Sequence, residues 1–170
     1  MSKYYAGIGS RETPTSILQA MTYIATVLSS VGYILRSGGA SGADSAFEAG
    51  AGNAKEIYLP WKGFNGNNSV LHNVSREALQ LASTLHPAWD RCSQGAQKLH
   101  GRNCYQILGE QLVSPVEFVV CWTPNGTRSG GTGQALRLAE RENIKIYDLA
   151  LMSNRASLEK YLRQLQEIHE

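Results

Sequence analysis

Short apolar runs alternate with amphipathic stretches along this chain, and glycines mark most of the changeovers. Tyr4-Tyr5-Ala6-Gly7-Ile8-Gly9, Tyr33–Ser37, Lys55–Pro60, Val116–Trp122 and Ile144–Leu149 each read as a strand. The Val- and Phe-rich fourth run suits a strand buried on both faces. Between them, Ile17, Met21, Ile24, Ala25 and Leu28 recur at helical spacing, with Thr13 placed to cap and Pro14 at the first helical position. A short helix through Ala46, Phe47 and Ala49 is expected to close at Gly50. Further helices are expected around Arg76–Leu85, over Gln94–Leu112, from Ala135 to Glu140 and over Asn154–Ile168.

Strands alternating with helices predict an α/β fold with a single Rossmann-like, doubly wound parallel sheet of about five strands and helices on both faces. The expected strand order is 3-2-1-4-5. One domain over residues 1–170 is expected, with a core at 4–149 and a terminal helix at 154–168. In that order strands one and four leave in opposite directions, and ligands bind in the crevice at their carboxyl ends. Three glycine turns open there: Gly9-Ser10-Arg11, Gly38-Gly39, and Gly130-Gly131-Thr132-Gly133. A glycine loop leading into a helix N-terminus offers free N–H groups and the positive end of a dipole to an anion. Each turn alone is equally compatible with a plain βα connection. Their convergence on one edge points to a ligand site.

Composition narrows the classes. An apolar fraction of 42% and a charged fraction of 18% are globular values, and a net charge of +2 does not mark a nucleic-acid surface. No run approaches the ~20 apolar residues needed to span a bilayer. Neither a signal-peptide pattern nor Cys-x-x-Cys spacing is present, so a cytoplasmic protein without disulfides or zinc is expected. His72, His86, His100 and His169 lack metal-ligand spacing and read as surface or packing residues, so no metal is expected.

Gly7-Ile8-Gly9-Ser10-Arg11, Ser37–Asp44 and Ala49-Gly50-Ala51, with Arg102-Asn103 a helix before the fourth strand, resemble the core of the DNA-processing protein A (DprA/Smf) family. The Gly130–Gly133 loop also resembles the phosphate loop of the Lonely-Guy (LOG) phosphoribohydrolases. Both families belong to the SLOG superfamily, and the resemblance runs from about Tyr4 to Leu149. It implies a nucleotide-binding fold, a homo-oligomer with the Gln94–Leu112 and C-terminal helices as candidate contacts, and a plausible phage origin. The chain departs from the LOG pattern, with Gln134 in place of its Thr and Arg137 in place of its Glu. An arginine cannot stabilise an oxocarbenium-like state or activate water. Hydrolysis would then need a carboxylate from Asp44, Glu48 or Glu117.

The expected ligand is a phosphate-bearing nucleotide of the NAD, ADP-ribose or nucleoside-monophosphate class, with no cofactor required. Binding without turnover suits a sensor, or an anti-defence sponge for a nucleotide immune signal. A phosphoribohydrolase and a DprA-like single-stranded DNA binder remain as alternatives. Arg11 is a candidate phosphate clamp, and Ser10 and Thr132 are candidate hydroxyl donors. Asp44 is a candidate ribose acceptor or a dipole partner, and Arg102 and Asn103 either face the crevice or are solvated. Trp122 and Asn125 are placed at the mouth of strand four, where indole is either a base-stacking partner or core. Trp61 is read as exposed, a possible lid.

Overall fold

The computed structural model describes all 170 residues. The strands β1 (Lys3–Gly7), β2 (Tyr33–Ser37), β3 (Lys55–Ile57), β4 (Phe118–Cys121) and β5 (Lys145–Asp148) form one sheet in the order β3-β2-β1-β4-β5. Every pairing is parallel. This is the expected architecture, a five-stranded Rossmann-like α/β fold.

Successive side chains of a strand point to opposite faces, so the central strands β1 and β4 feed two cores. Tyr5, Leu35, Phe118 and Val120 join the larger core with α1 (Thr15–Ser30), α2 (Ala43–Ala51) and α6 (Met152–Ile168). Ala6, Ile8, Val119 and Cys121 join the second core with α4 (Gln94–Leu108), α5 (Gly130–Arg141) and Ala82 of α3 (Arg76–Ser83). The two-sided burial explains why the fourth strand reads as an unbroken apolar run.

Several boundaries differ from the expectation, each for a local reason. Thr13 does not cap α1; its hydroxyl donates to the Ser10 carbonyl at 2.6 Å, and Pro14 takes the cap position. Gly50 does not close α2 but lies inside it, where α1 passes so close that a Cβ would strike the Thr22 carbonyl. The Thr22 hydroxyl donates across the same contact to the Ala46 carbonyl at 3.0 Å. Gly109, with φ +77°, ends α4 before the expected Leu112. That helix is buried from Gly101 to Leu108 within its own chain, so little of its apolar face is left for a partner.

Candidate anion-binding site at the switch point

The β4–α5 connection departs most usefully from the expectation. The glycines do not form a loop ahead of the helix; they are its first turn, with Ser129 at the cap position. The first backbone bond of this turn runs from Gly133 N–H to Ser129 O at 3.1 Å. The N–H groups of Gly130, Gly131 and Thr132 therefore have no backbone acceptor, as expected of a helix start. No side chain caps them. Gly130 sits at φ +65°, a conformation that costs any other residue strain.

The residues that carry these groups line a half-open cavity of about 480 Å³ at the carboxyl ends of β1, β2 and β4. Gly9, Ser10, Arg11 and Glu12 line it from the β1 turn, and Ala40 and Asp44 from the β2 turn. Ser129 through Thr132 close it from α5, and α4 supplies Leu99, His100, Arg102, Asn103 and Gln106. The crevice lies between β1 and β4, neighbours whose connections run to opposite sides of the sheet.

Arg102 organises the floor. It is 6% exposed and donates through Nη1 to the Gly38 carbonyl and, at 3.2 Å, to the Tyr58 carbonyl. Its Nε donates to Asn103 Oδ1 at 3.0 Å, and Nη2 has no hydrogen-bond partner in the chain. Burial lowers its pKa to about 10, with Asp44 opposing the shift, so the guanidinium is charged at neutral pH. Asp44 beside it is 5% exposed and accepts from the Ala40 N–H at 3.2 Å. Burial raises its pKa to about 6, and attraction to Arg102 offsets part of that shift. Asn103 donates to the Gly131 carbonyl at 3.1 Å, which ties α4 to the first turn of α5. Its amide group is thereby committed to holding the turn.

Of the expected site residues, Gly9, Ser10, Arg11, Asp44, Arg102, Asn103, Gly130, Gly131 and Thr132 share the cavity wall. The others lie elsewhere. Gly38 sits behind the floor, where only a hydrogen leaves space for Gln106, Arg102 and Asp44, and Gly39 packs against Leu59. Gly133 closes against the Arg128 backbone. Trp122 packs on the larger core, and Asn125 is exposed in a turn at φ +57°. Glu117 precedes β4 at the opposite end of the sheet, where it accepts from the Tyr33 hydroxyl at 2.7 Å, so it is no reserve carboxylate for the cavity. Glu48 is also engaged elsewhere, with Lys55 at 2.9 Å and with Asn67.

The two departures from the LOG pattern have structural work. Gln134 Nε2 donates to Ala82 O at 3.4 Å, and Arg137 Nε donates to Leu85 O at 3.3 Å. Both fasten α5 to the carbonyls at the end of α3. Glu12, Leu99, His100 and Gln106 were not anticipated at the cavity. For α4 a signal existed: Leu99, Arg102, Asn103 and Gln106 recur three and four apart, so one helical face carries them all.

No family model and no curated protein matches this chain. Among solved structures it is similar to DNA processing protein A from Helicobacter pylori, a protein solved for its single-stranded DNA binding mode. The TM-score is 0.55 at 16% sequence identity, over 85% of this chain and 63% of that one. This chain thus spans less than two thirds of that protein's length. The two share a DprA-like fold.

Proposed function

We propose that the chain binds a phosphate group of single-stranded nucleic acid at the switch-point crevice. The observation that carries the reading is the set of unpartnered N–H groups of Gly130, Gly131 and Thr132, residues that line a cavity floored by Arg102 and edged by Arg11. Such a helix start binds phosphate oxygens through directed N–H bonds and the dipole. Arg102 adds a buried charge, which acts more strongly than a solvated one. The likeness to a protein with a single-stranded DNA binding mode supports a nucleic-acid strand as the source of the phosphate.

A second reading, a free nucleotide of the ADP-ribose or nucleoside-monophosphate class, is favoured by the size of the cavity. About 480 Å³ lies within the range of small-ligand pockets. Nothing in the fold or its likeness points to immune signalling.

Fluorescence anisotropy of a labelled single-stranded oligonucleotide separates the two. Binding that weakens steeply with salt, fails in Arg11→Ala and is not displaced by ADP-ribose or AMP supports the strand. Displacement by either nucleotide at modest concentration supports the second reading. Absence of binding to both overturns the crevice as a phosphate site.

A further inference from the structure

The connection between α3 and α4 brings together a group of side chains with no part in the anion site's charge. His86 follows the end of α3, Cys92 follows a short turn at Trp89–Arg91, and His100 lies on α4. One donor atom from each lies within 4.8 Å of the other two. The Cys92 Sγ is 3.8 Å and 3.7 Å from the two ring nitrogens of His86. The His86 and His100 rings are 4.8 Å apart, and Trp89 packs beside His100 at 6.4 Å.

His100 also has an unmet need. Its Nδ1 is buried and has no hydrogen-bond partner. A buried polar atom left alone is costly, and such orphans mark the place of an ion or water.

From this geometry we propose that His86, Cys92 and His100 form a Zn2+ site with two imidazoles, one thiolate and a fourth position left to water. A tetrahedral site with zinc–sulfur bonds of about 2.3 Å and zinc–nitrogen bonds of about 2.0–2.1 Å sets its donors about 3.3–3.6 Å apart; Cys92 Sγ and His86, at 3.7 Å, stand close to that spacing, and the donors spread over as much as 4.8 Å must draw together. The mixed nitrogen and sulfur set selects zinc over magnesium or calcium, which prefer oxygen. Binding releases the Cys92 thiol proton to solvent and involves no redox change. One rearrangement is required. The Ala88 N–H donates to His86 Nδ1 at 3.0 Å, so the ring must turn and exchange that bond for one to metal. His100 also lines the anion cavity, so the metal would fix the orientation of one wall of the crevice. The site does not depend on what the crevice binds.

Co2+, a spectroscopic stand-in for zinc, provides the test when added to the metal-stripped full chain under a non-thiol reductant. The expected result is tetrahedral visible absorption plus a near-ultraviolet thiolate-to-cobalt band, saturating at one equivalent and bleached by Zn2+. Cys92→Ser removes the near-ultraviolet band, and His100→Ala weakens binding by more than the roughly 100-fold upper end of an outer-sphere change. Absence of both bands, or their survival in Cys92→Ser, overturns the site. If either variant fails to fold, the wild-type chain still decides. Cys104 and Cys121 are buried, leaving Cys92 as the accessible thiol. Zn2+ should slow its reaction with an aromatic disulfide, and an unchanged rate overturns the proposal.

Discussion

A methyl group added at Gly38 would run into the side chains of Gln106, Arg102 and Asp44. One added at Gly131 would meet nothing nearer than the Asn103 amide nitrogen, at 3.7 Å. Both glycines lie in turns at the carboxyl edge of the same sheet, and in the sequence they look alike. The first is filled from behind by a buried polar cluster and gives that cluster its space. The second is left open to the cavity that it lines. Glycine richness at a switch point therefore has two physical origins, and only the environment of the missing Cβ separates them.

The largest expected effect is on the filled turn. Gly38→Ala places a carbon inside the Gln106–Arg102–Asp44 cluster, where charged and amide groups cannot move aside without losing partners. A loss of about 3 kcal/mol is expected, at the upper end for overpacking. Urea denaturation would show it as a lower midpoint at unchanged slope. A midpoint within error of wild type would mean that the cluster is loosely packed and that the contrast with Gly131 is false.

Arg102→Leu comes next and touches both sides of the comparison. It leaves the Gly38 and Tyr58 carbonyls without their donor and Asp44 without its nearby charge. Removing one member of a buried charged pair costs about 3–5 kcal/mol; the elevated Asp44 pKa eases that cost, so the lower end is expected, with oligonucleotide binding lost. Wild-type affinity in a folded variant would remove Arg102 from the ligand site.

The sheet order was legible because its signals are local: apolar runs of strand length, helical periodicity, and a glycine at most changeovers. The switch-point rule then placed Ser10, Arg11 and the first turn of α5 at one crevice without any side-chain information. What escaped depended on packing between distant segments. Nothing around Gly38 in the sequence announces that Arg102 will reach its carbonyl from α4. Trp122 follows a strand that opens on the crevice, yet its ring belongs to the other core. Asp148 was not singled out, although it is 1% exposed and anchors the β4–α5 connection by accepting from the Thr123 hydroxyl at 2.5 Å. The His86–Cys92–His100 cluster has no recognisable spacing because its members meet only when the α3–α4 connection folds back.

Asp44→Asn gives an effect of similar size that depends on pH. The folded carboxyl has its pKa raised from 3.8 to about 6. A raised folded-state pKa stabilises fully below the unfolded value, and that stabilisation disappears as pH rises through the folded one. Two units correspond to about 3 kcal/mol, lost between roughly pH 4 and pH 6. Tm measured across that window should fall less steeply with rising pH in the variant than in wild type. Parallel curves would mean that Asp44 ionises as an ordinary carboxyl.

Gly131→Ala is the smallest change in stability and the sharpest test of the comparison. Gly131 has ordinary helical backbone, and the new methyl meets no close neighbour. Replacing a helical glycine by alanine stabilises by about 0.5–1 kcal/mol, so Tm should hold or rise slightly. The same methyl adds a carbon to the first turn of α5 where Gly131 and Asn103 line the cavity, and is expected to keep a phosphate oxygen from the free N–H groups there. Loss of one hydrogen bond to a charged oxygen, about 1.5 kcal/mol, corresponds to about tenfold weaker oligonucleotide binding. A stable variant with weaker binding separates the open glycine from the filled one by experiment. A stable variant with unchanged affinity places the phosphate away from the first turn of α5, and the two glycine turns would then differ only in how tightly they pack.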